Sequence, residues 1–398
     1  MPQTTLRIAV RKFGPFESAV QRQFDAFRAV ERMHDLDLQM DVLEVGPLDQ
    51  ALFAGRGLAD GTYDLAFVVT DWLAAAVHGG LLLDLAPLLS RDPPPDFPGN
   101  WCSSLLKLQQ VGEGTYALPY HDGPECLIYR SDLIDKPPAT WDRFHALARN
   151  LTNEERYGTV IAAYPEGHNT VYDFCLHLWT RGGELLDPAS GAPDLATPQA
   201  VAALDFYRTL AADASACWPD ARGVDSIRAG NLFMSGKVAM MANWFGFAAM
   251  CQTLPDSQVR DKVSLAPLPA GAGGRSCSLN VYWTIGIAAG SRQPQLAYRF
   301  LRHMLRPEMD KLLTLGGAVG CRLSTWLDDE VNAVAPFFRL LPQLHENARS
   351  FPVDRRMPGL IHAIDDAVTA ALTTAEPTES ILRRADDRAR RAWNGGAA

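Results

Sequence analysis

Tyr63-Asp64-Leu65-Ala66-Phe67-Val68-Val69 runs directly into Thr70-Asp71-Trp72. A continuous apolar run without alternation, closed by polar residues, is the pattern of a strand buried on both faces of a parallel sheet. Upstream, Leu6 to Val10 is a shorter run of the same kind. Val20, Phe24, Phe27 and Val30 follow it at helical spacing, and Met40 to Val45 predicts a second strand with a helical segment behind it. Strand, helix, strand, helix, strand predicts a doubly wound α/β unit. No repeat or low-complexity tract interrupts it, and Asp92-Pro93-Pro94-Pro95 marks a stiff loop.

Downstream, a second α/β unit begins after about residue 118. Thr140 is placed to cap a helix opened by Trp141, with Asp142 in the first turn and Trp141, Phe144 and Leu147 on one face. Tyr157 to Tyr164 predicts a strand. Thr197-Pro198 opens a helix whose inner face carries Val201, Leu204, Tyr207 and Ala211. Lys237 to Ala242 predicts another strand, and the C-terminus is helical, broken at Pro377, with arginines in its last turns. Proline and glycine punctuate Tyr116-Ala117-Leu118-Pro119, Leu265-Ala266-Pro267-Leu268-Pro269 and Gly316-Gly317-Ala318-Val319-Gly320. They predict three passages between two compact units, near 115–119, 262–269 and 318–326. The corresponding N-terminal lobe is 1–116 with 268–318, and the C-terminal lobe is 117–267 with 319–398.

The 398 residues are enough for two such units, and the apolar and charged fractions are those of a globular protein. The net charge of -9, with no long basic run, argues against nucleic acid, whose affinity rests on clustered Lys and Arg. The longest apolar stretch, roughly Trp72 to Leu89, is interrupted by His78, Gly79, Gly80 and Asp84 and does not predict a membrane span. Met1 to Thr5 shows neither the basic nor the apolar region of a secretion signal. The seven cysteines are odd in number and never spaced C-x-x-C, so they predict buried free thiols, with no zinc ribbon or redox motif.

Ligands of open α/β sheets sit outside the carboxyl ends of the strands. Here those ends deliver Thr70, Asp71 and Trp72, then Pro165, Glu166, Gly167, His168 and Asn169, then Asn243, Trp244 and Phe245. Planar hydrogen-bonding groups beside tryptophans suit a carbohydrate, whose C–H faces lie on an indole while its hydroxyls take paired donors and acceptors. Core packing is the alternative for any single tryptophan.

In order and spacing the chain resembles the extracellular solute-binding proteins of ABC importers, the sugar-binding group that includes maltose-binding protein. The resemblance runs through Tyr63-Asp64 to Leu85, Gly114 to Tyr120, Leu127 to Leu133, Pro138-x-Thr140-Trp141, Leu178-Trp179, Gly182 to Leu186, Phe233 to Met240 and Ala266 to Pro269. It implies a two-lobed, periplasmic-binding-protein-like (type II) α/β fold with a hinge that closes on a sugar-like solute. It also implies a membrane permease as partner, no cofactor, a monomer, and a periplasmic or extracellular location. Family ligand positions fall on Trp72, His121, Asp122, Trp244, Tyr282, Trp283 and Arg322. With Asp71, His168 and Asn243 from the strand ends, these make the candidate site. Val281-Tyr282 stands where many relatives have paired glycines, which narrows the cleft that the resemblance implies.

Enzyme readings find less support. Gly55 to Gly61 is one residue too long for a dinucleotide fingerprint and precedes a strand, and Gly236-Lys237 lacks the upstream glycine of a phosphate loop. Neither G-x-S-x-G nor H-E-x-x-H occurs. Asp173 and His177, with His168, have possible metal-ligand spacing, and Asp122, Glu125 and Glu166 offer carboxylates for a glycosidase pair. A sensor presenting bound solute to a receptor would use the same binding residues.

Overall fold

A computed structural model describes residues 4–165 and 167–395. The chain forms two units, residues 1–123 with 280–345 and residues 124–279 with 346–398. Eight strands organise them: β1 Thr4–Arg11, β2 Leu36–Leu43, β3 Leu65–Val69, β4 Leu118–His121, β5 Glu125–Arg130, β6 Met240–Trp244, β7 Val263–Ala266 and β8 Trp283–Ile287.

In the first unit the sheet order is β2-β1-β3-β8-β4. β1 pairs in parallel with β2 and β3, whereas β8 is antiparallel to β3 and β4. β3 is buried along its whole length, as an unalternated apolar run demands. β2 starts earlier than expected, at Leu36, and ends at Leu43. The reason is local: Val45-Gly46-Pro47 already forms a helix start, where a proline's missing N–H costs nothing. The helix Phe16–Glu31 buries Val20, Phe24 and Phe27, but Val30 is exposed; the buried stripe turns through Phe16, Ala19 and Gln23 instead.

In the second unit β5 is the centre of an antiparallel sheet, β6-β5-β7. The strand expected at 157–164 reduces to single parallel bridges, Tyr157 to Val238 and Thr159 to Cys217. Its backbone bonds alternate between 237–240 on one side and 216–224 on the other, so no partner runs beside it for long. The strand expected at 237–242 lies instead at 240–244, because Tyr129 to Glu125 of β5 pair with Met240 to Trp244. Asn243 and Trp244 are therefore inside the strand. Thr140 and Thr197 cap the helices Trp141–Leu151 and Pro198–Ala212 by accepting the N–H of Arg143 and Ala200. In the latter helix Ala200, Ala203, Leu204, Tyr207 and Leu210 face inward, while Val201 and Ala211 lie at the border. Pro377 separates Met357–Thr373 from Thr378–Gly395.

The chain passes between units at 123/124, 279/280 and 345/346, later than the three expected places. Residues 118–121 and 263–266 are spent as strands within a unit. The first passage uses Gly123 at φ 148, a backbone conformation that side chains other than glycine's disfavour. The 318–326 segment belongs wholly to the first unit. The buried Asp310 carboxylate accepts the N–H groups of Cys321 and Arg322, Thr314 Oγ accepts that of Gly320, and Trp326 Nε1 donates to the Gly320 carbonyl at 2.7 Å. Among the described residues no helix is long and apolar enough to cross a membrane. All seven cysteines are free thiols, and only Cys102 is not fully buried.

Candidate functional site

At the carboxyl end of β3 the chain turns through Thr70–Trp72, anchored by Thr70 N–H to the Tyr282 carbonyl. Trp283 opens β8 directly opposite Val69 on one side and His121 on the other. The indoles of Trp72 and Trp283 meet edge to face, with centroids 5.8 Å apart, and Phe53 supports Trp72 from the other side at 6.0 Å. Trp72, Trp283, Asp71 and His121 are all half-buried, so each keeps some surface open. His121 is seated on Phe13 and Phe16, and its Nδ1 accepts the Val319 N–H at 3.0 Å. Burial pushes its pKa down to about 4 against the opposing pull of Asp122, so the ring is neutral at pH 7. With Nδ1 accepting, the proton sits on Nε2, which is a donor.

In the second unit Trp244 closes β6, half-buried, with its ring against the edge of Tyr172 at 5.6 Å. Tyr172 hydroxyl and His168 Nδ1 are 3.1 Å apart, one helical turn removed from each other, and Phe351 lies against Tyr172. Trp179 continues the aromatic row past Phe351, with the Arg349 guanidinium over its ring and paired to Glu184. The sequence reading missed Tyr172, Phe351 and Arg349. Tyr172 alone carried a signal, standing at i+4 from His168 on one helix face.

Four expected contacts are instead occupied within their own units. Tyr282 is buried, donates its hydroxyl to the Leu105 carbonyl and accepts from Gln109 Nε2 at 2.7 Å. Asn243 Nδ2 donates to the Ser226 carbonyl, and its Oδ1 accepts the Trp244 N–H. Arg322 is 0% exposed and donates to the carbonyls of Pro95 and Leu305 and to Asp96, with its guanidinium 4.5 Å from the Trp101 ring centre. The nearby acids in sequence are engaged elsewhere: Asp328 binds Lys311 and caps a helix, and Asp329 binds Arg339.

Asp122 is the fourth. His345 Nε2 meets Asp122 Oδ2 at 2.8 Å and its Nδ1 meets Ser104 Oγ at 2.9 Å, while the ring stacks on Trp326. Asn280 Nδ2 donates to the Ser104 carbonyl at 3.1 Å. Serine, histidine and aspartate are the members of a hydrolase triad, but there the aspartate orients Nδ1 and the serine uses Nε2, the reverse of this arrangement. Asn280 and His345 flank two of the chain passages and Asp122 lies one residue before the first, and the network ties them together on the first unit.

Asp173 and His177 share the helix Asn169–Trp179, but the His177 ring is enclosed by Trp141, Phe206 and Tyr207. Burial holds it well below its ordinary pKa. Among the described residues no three His, Cys, Asp or Glu side chains group as a metal site. Glu166 lies outside the described residues. A hollow of about 510 Å³ is lined by Arg7, Asp41, Asp60 and Arg292 in the first unit, near the amino-terminal end of β3 and away from Trp72. Its charges offset one another.

The sequence profile of the bacterial extracellular solute-binding proteins matches residues 17–311. A probable ABC transporter-binding protein of Deinococcus radiodurans is 27% identical over 302 residues, spanning 73% of this chain and 70% of that protein. Among solved structures, a solute-binding protein of Agrobacterium radiobacter K84 in complex with ribitol matches with a TM-score of 0.87 at 24% identity, covering 98% of both chains. Maltose-bound MalE3 of T. maritima matches with a TM-score of 0.88 at 21% identity, over 98% of this chain and 99% of that one. At these identities the two structures establish a shared fold.

Proposed function

The chain belongs to the bacterial extracellular solute-binding protein family, and from that premise we propose that it is the substrate-binding component of an ABC importer for a sugar or polyol. One observation carries the ligand class. Each unit presents an edge-to-face aromatic pair beside hydrogen-bonding side chains: Trp72 and Trp283 with Asp71 and His121, and Trp244 and Tyr172 with His168. An indole offers an apolar plane to the C–H face of a sugar, and neighbouring polar groups take its hydroxyls. The transporter relative in Deinococcus and the ribitol- and maltose-bound structures support the same reading.

In this reading the aromatic pairs take the ligand, and Tyr282, Asn243, Asp122 and Arg322 each hold their own unit in shape. The protein acts as a monomer outside the cytoplasmic membrane, binds without turnover, and delivers its solute to a membrane permease. The test is a thermal-shift screen of the purified protein against ribitol, mannitol, maltose and their relatives, since a ligand that binds only the folded state raises apparent stability. A saturable shift that leaves the ligand chemically intact supports binding. Turnover of the ligand would make the protein an enzyme, and no shift across the panel would remove the sugar and polyol assignment.

A further inference from the structure

The second unit holds two carboxyl groups, Glu125 and Asp173, beside which no cation stands among the described residues. Glu125, the first residue of β5, is 2% exposed and stands directly across from Trp244 in the β5–β6 register, so the two side chains share one face of the sheet. Its Oε2 is buried with no hydrogen-bond partner. Asp173 follows Tyr172, the ring that meets Trp244, and among the described residues its side chain has one polar contact, a long one, 3.5 Å from the Tyr207 hydroxyl.

The titratable groups around the pair are Cys126 on β5, His177 on the helix of Asp173, and Tyr207 with Cys217 behind it. All four are neutral at pH 7. Arg181, the next cation along the helix, is spent on the His177 carbonyl and the face of Phe206. A buried acid that serves packing is normally satisfied by donors, and a buried charge is normally paired. Glu125 has neither.

We propose that Glu125, seconded by Asp173, is the recognition point for a protonated amino group on the ligand, so that the solute is an amino sugar or an aminated polyol. This rests on the binding function proposed above and names its substrate class. The faces of Trp244 and Tyr172 favour the same cation. Burial and the neighbouring Asp173 hold Glu125 well above the ordinary carboxyl range, and burial lifts Asp173 to about 8. Both shifts favour the protonated form of each carboxyl group. Binding exchanges one of these protons: the carboxylic acid and the ammonium ligand give a carboxylate–ammonium pair, and the acid proton leaves to the buffer.

The test uses matched probes, D-glucamine against D-sorbitol and D-glucosamine against D-glucose, titrated calorimetrically into the full chain at pH 7 in two buffers of different ionisation enthalpy. The expected result is at least tenfold tighter binding of one amine than of its hydroxyl counterpart, with release of about one proton. Glu125→Gln should abolish both the preference for the amine and the proton release. Asp173→Asn should weaken the preference in the same direction. Thermal melting checks that each variant is folded. A hydroxyl probe that binds as tightly as its amine, with no proton release and no effect of Glu125→Gln, overturns this inference and leaves the binding function standing. If none of these probes binds and the wider sugar and polyol screen is also blank, both fail; if only the screen succeeds, the amine inference alone fails.

Discussion

Arg322→Ala should cost stability and leave ligand affinity unchanged. The guanidinium is enclosed and makes hydrogen bonds of 3.0 Å to the Pro95 carbonyl, 2.9 Å to the Leu305 carbonyl and 2.8 Å to Asp96, with Trp101 beneath it. The Asp96 side chain is 62% exposed, so that ion pair alone is worth no more than about 1 kcal/mol. The two carbonyls decide the magnitude. Each loses a charge-assisted donor, and removal of a fully buried side chain leaves a void, for a total of about 3–5 kcal/mol. In a domain of this size about 2–4 °C of melting temperature accompanies each kcal/mol, so the variant should melt on the order of 10 °C lower. Arg322→Lys should fall between, because a single ammonium cannot span all three acceptors. Asp96→Asn should lose about 1 kcal/mol or less. The assay is differential scanning fluorimetry beside calorimetric titration of the best ligand from the screen. A melting temperature within about 2 °C of wild type, together with at least a tenfold loss of affinity, would refute this reasoning and return Arg322 to the ligand.

Trp244→Ala and Trp72→Ala should each weaken ligand binding by about tenfold or more, read by titration, with intrinsic fluorescence reporting the remaining indoles; unchanged affinity in both would remove the aromatic platforms. His345→Ala should destabilise the protein by about 2–4 kcal/mol in a denaturant melt, since it strands the buried Asp122 and removes the stack on Trp326; a loss under about 0.5 kcal/mol would contradict the tie at the chain passages. His121 is depressed to about 4 in the folded state against 6.5 for the free side chain, so its contribution is complete above pH 6.5 and is lost as pH falls toward 4. His121→Asn should flatten that part of the stability–pH curve, and a curve of unchanged shape would count against a neutral buried ring. Burial raises the pKa of Asp213, but the bonds from Ser215, Arg149 and His145 outweigh it and hold it well below the ordinary range. Its stabilising effect is therefore present above about pH 4 and disappears as the medium becomes more acidic, so Asp213→Asn should lower stability at pH 7 and blunt the acid dependence.

What could be read in the sequence was local. Thr140 and Thr197 cap helices because the side chain three residues before a backbone N–H is enough to specify the bond, and β3 announces itself by five apolar residues in a row. Trp72 and Trp244 could be picked out because ligands of open α/β sheets sit outside strand carboxyl ends, and Trp283 through the family resemblance. Arg322 and Asp122 could not be resolved from the chain alone. Their partners, Asp96 and His345, lie 226 and 223 residues away, and the same arginine or aspartate serves a ligand or a loop equally well until those partners are in place. The passages between units were misjudged for a related reason. Proline and glycine mark a change of direction, but whether the chain leaves the unit depends on which strand or buried carboxylate claims the next few residues, as Asp310 claims Cys321 and Arg322.

The central claim is that this protein binds a sugar-like or aminated polyol solute through aromatic platforms and releases it unchanged. Its most direct test is calorimetric titration of the wild-type chain with the leading ligand of the thermal screen, followed by recovery and mass analysis of that ligand. The account predicts one saturable site, a ligand recovered intact, and affinity weakened by about tenfold or more in Trp244→Ala. A ligand recovered in altered form, or unchanged affinity in both Trp244→Ala and Trp72→Ala, would contradict it.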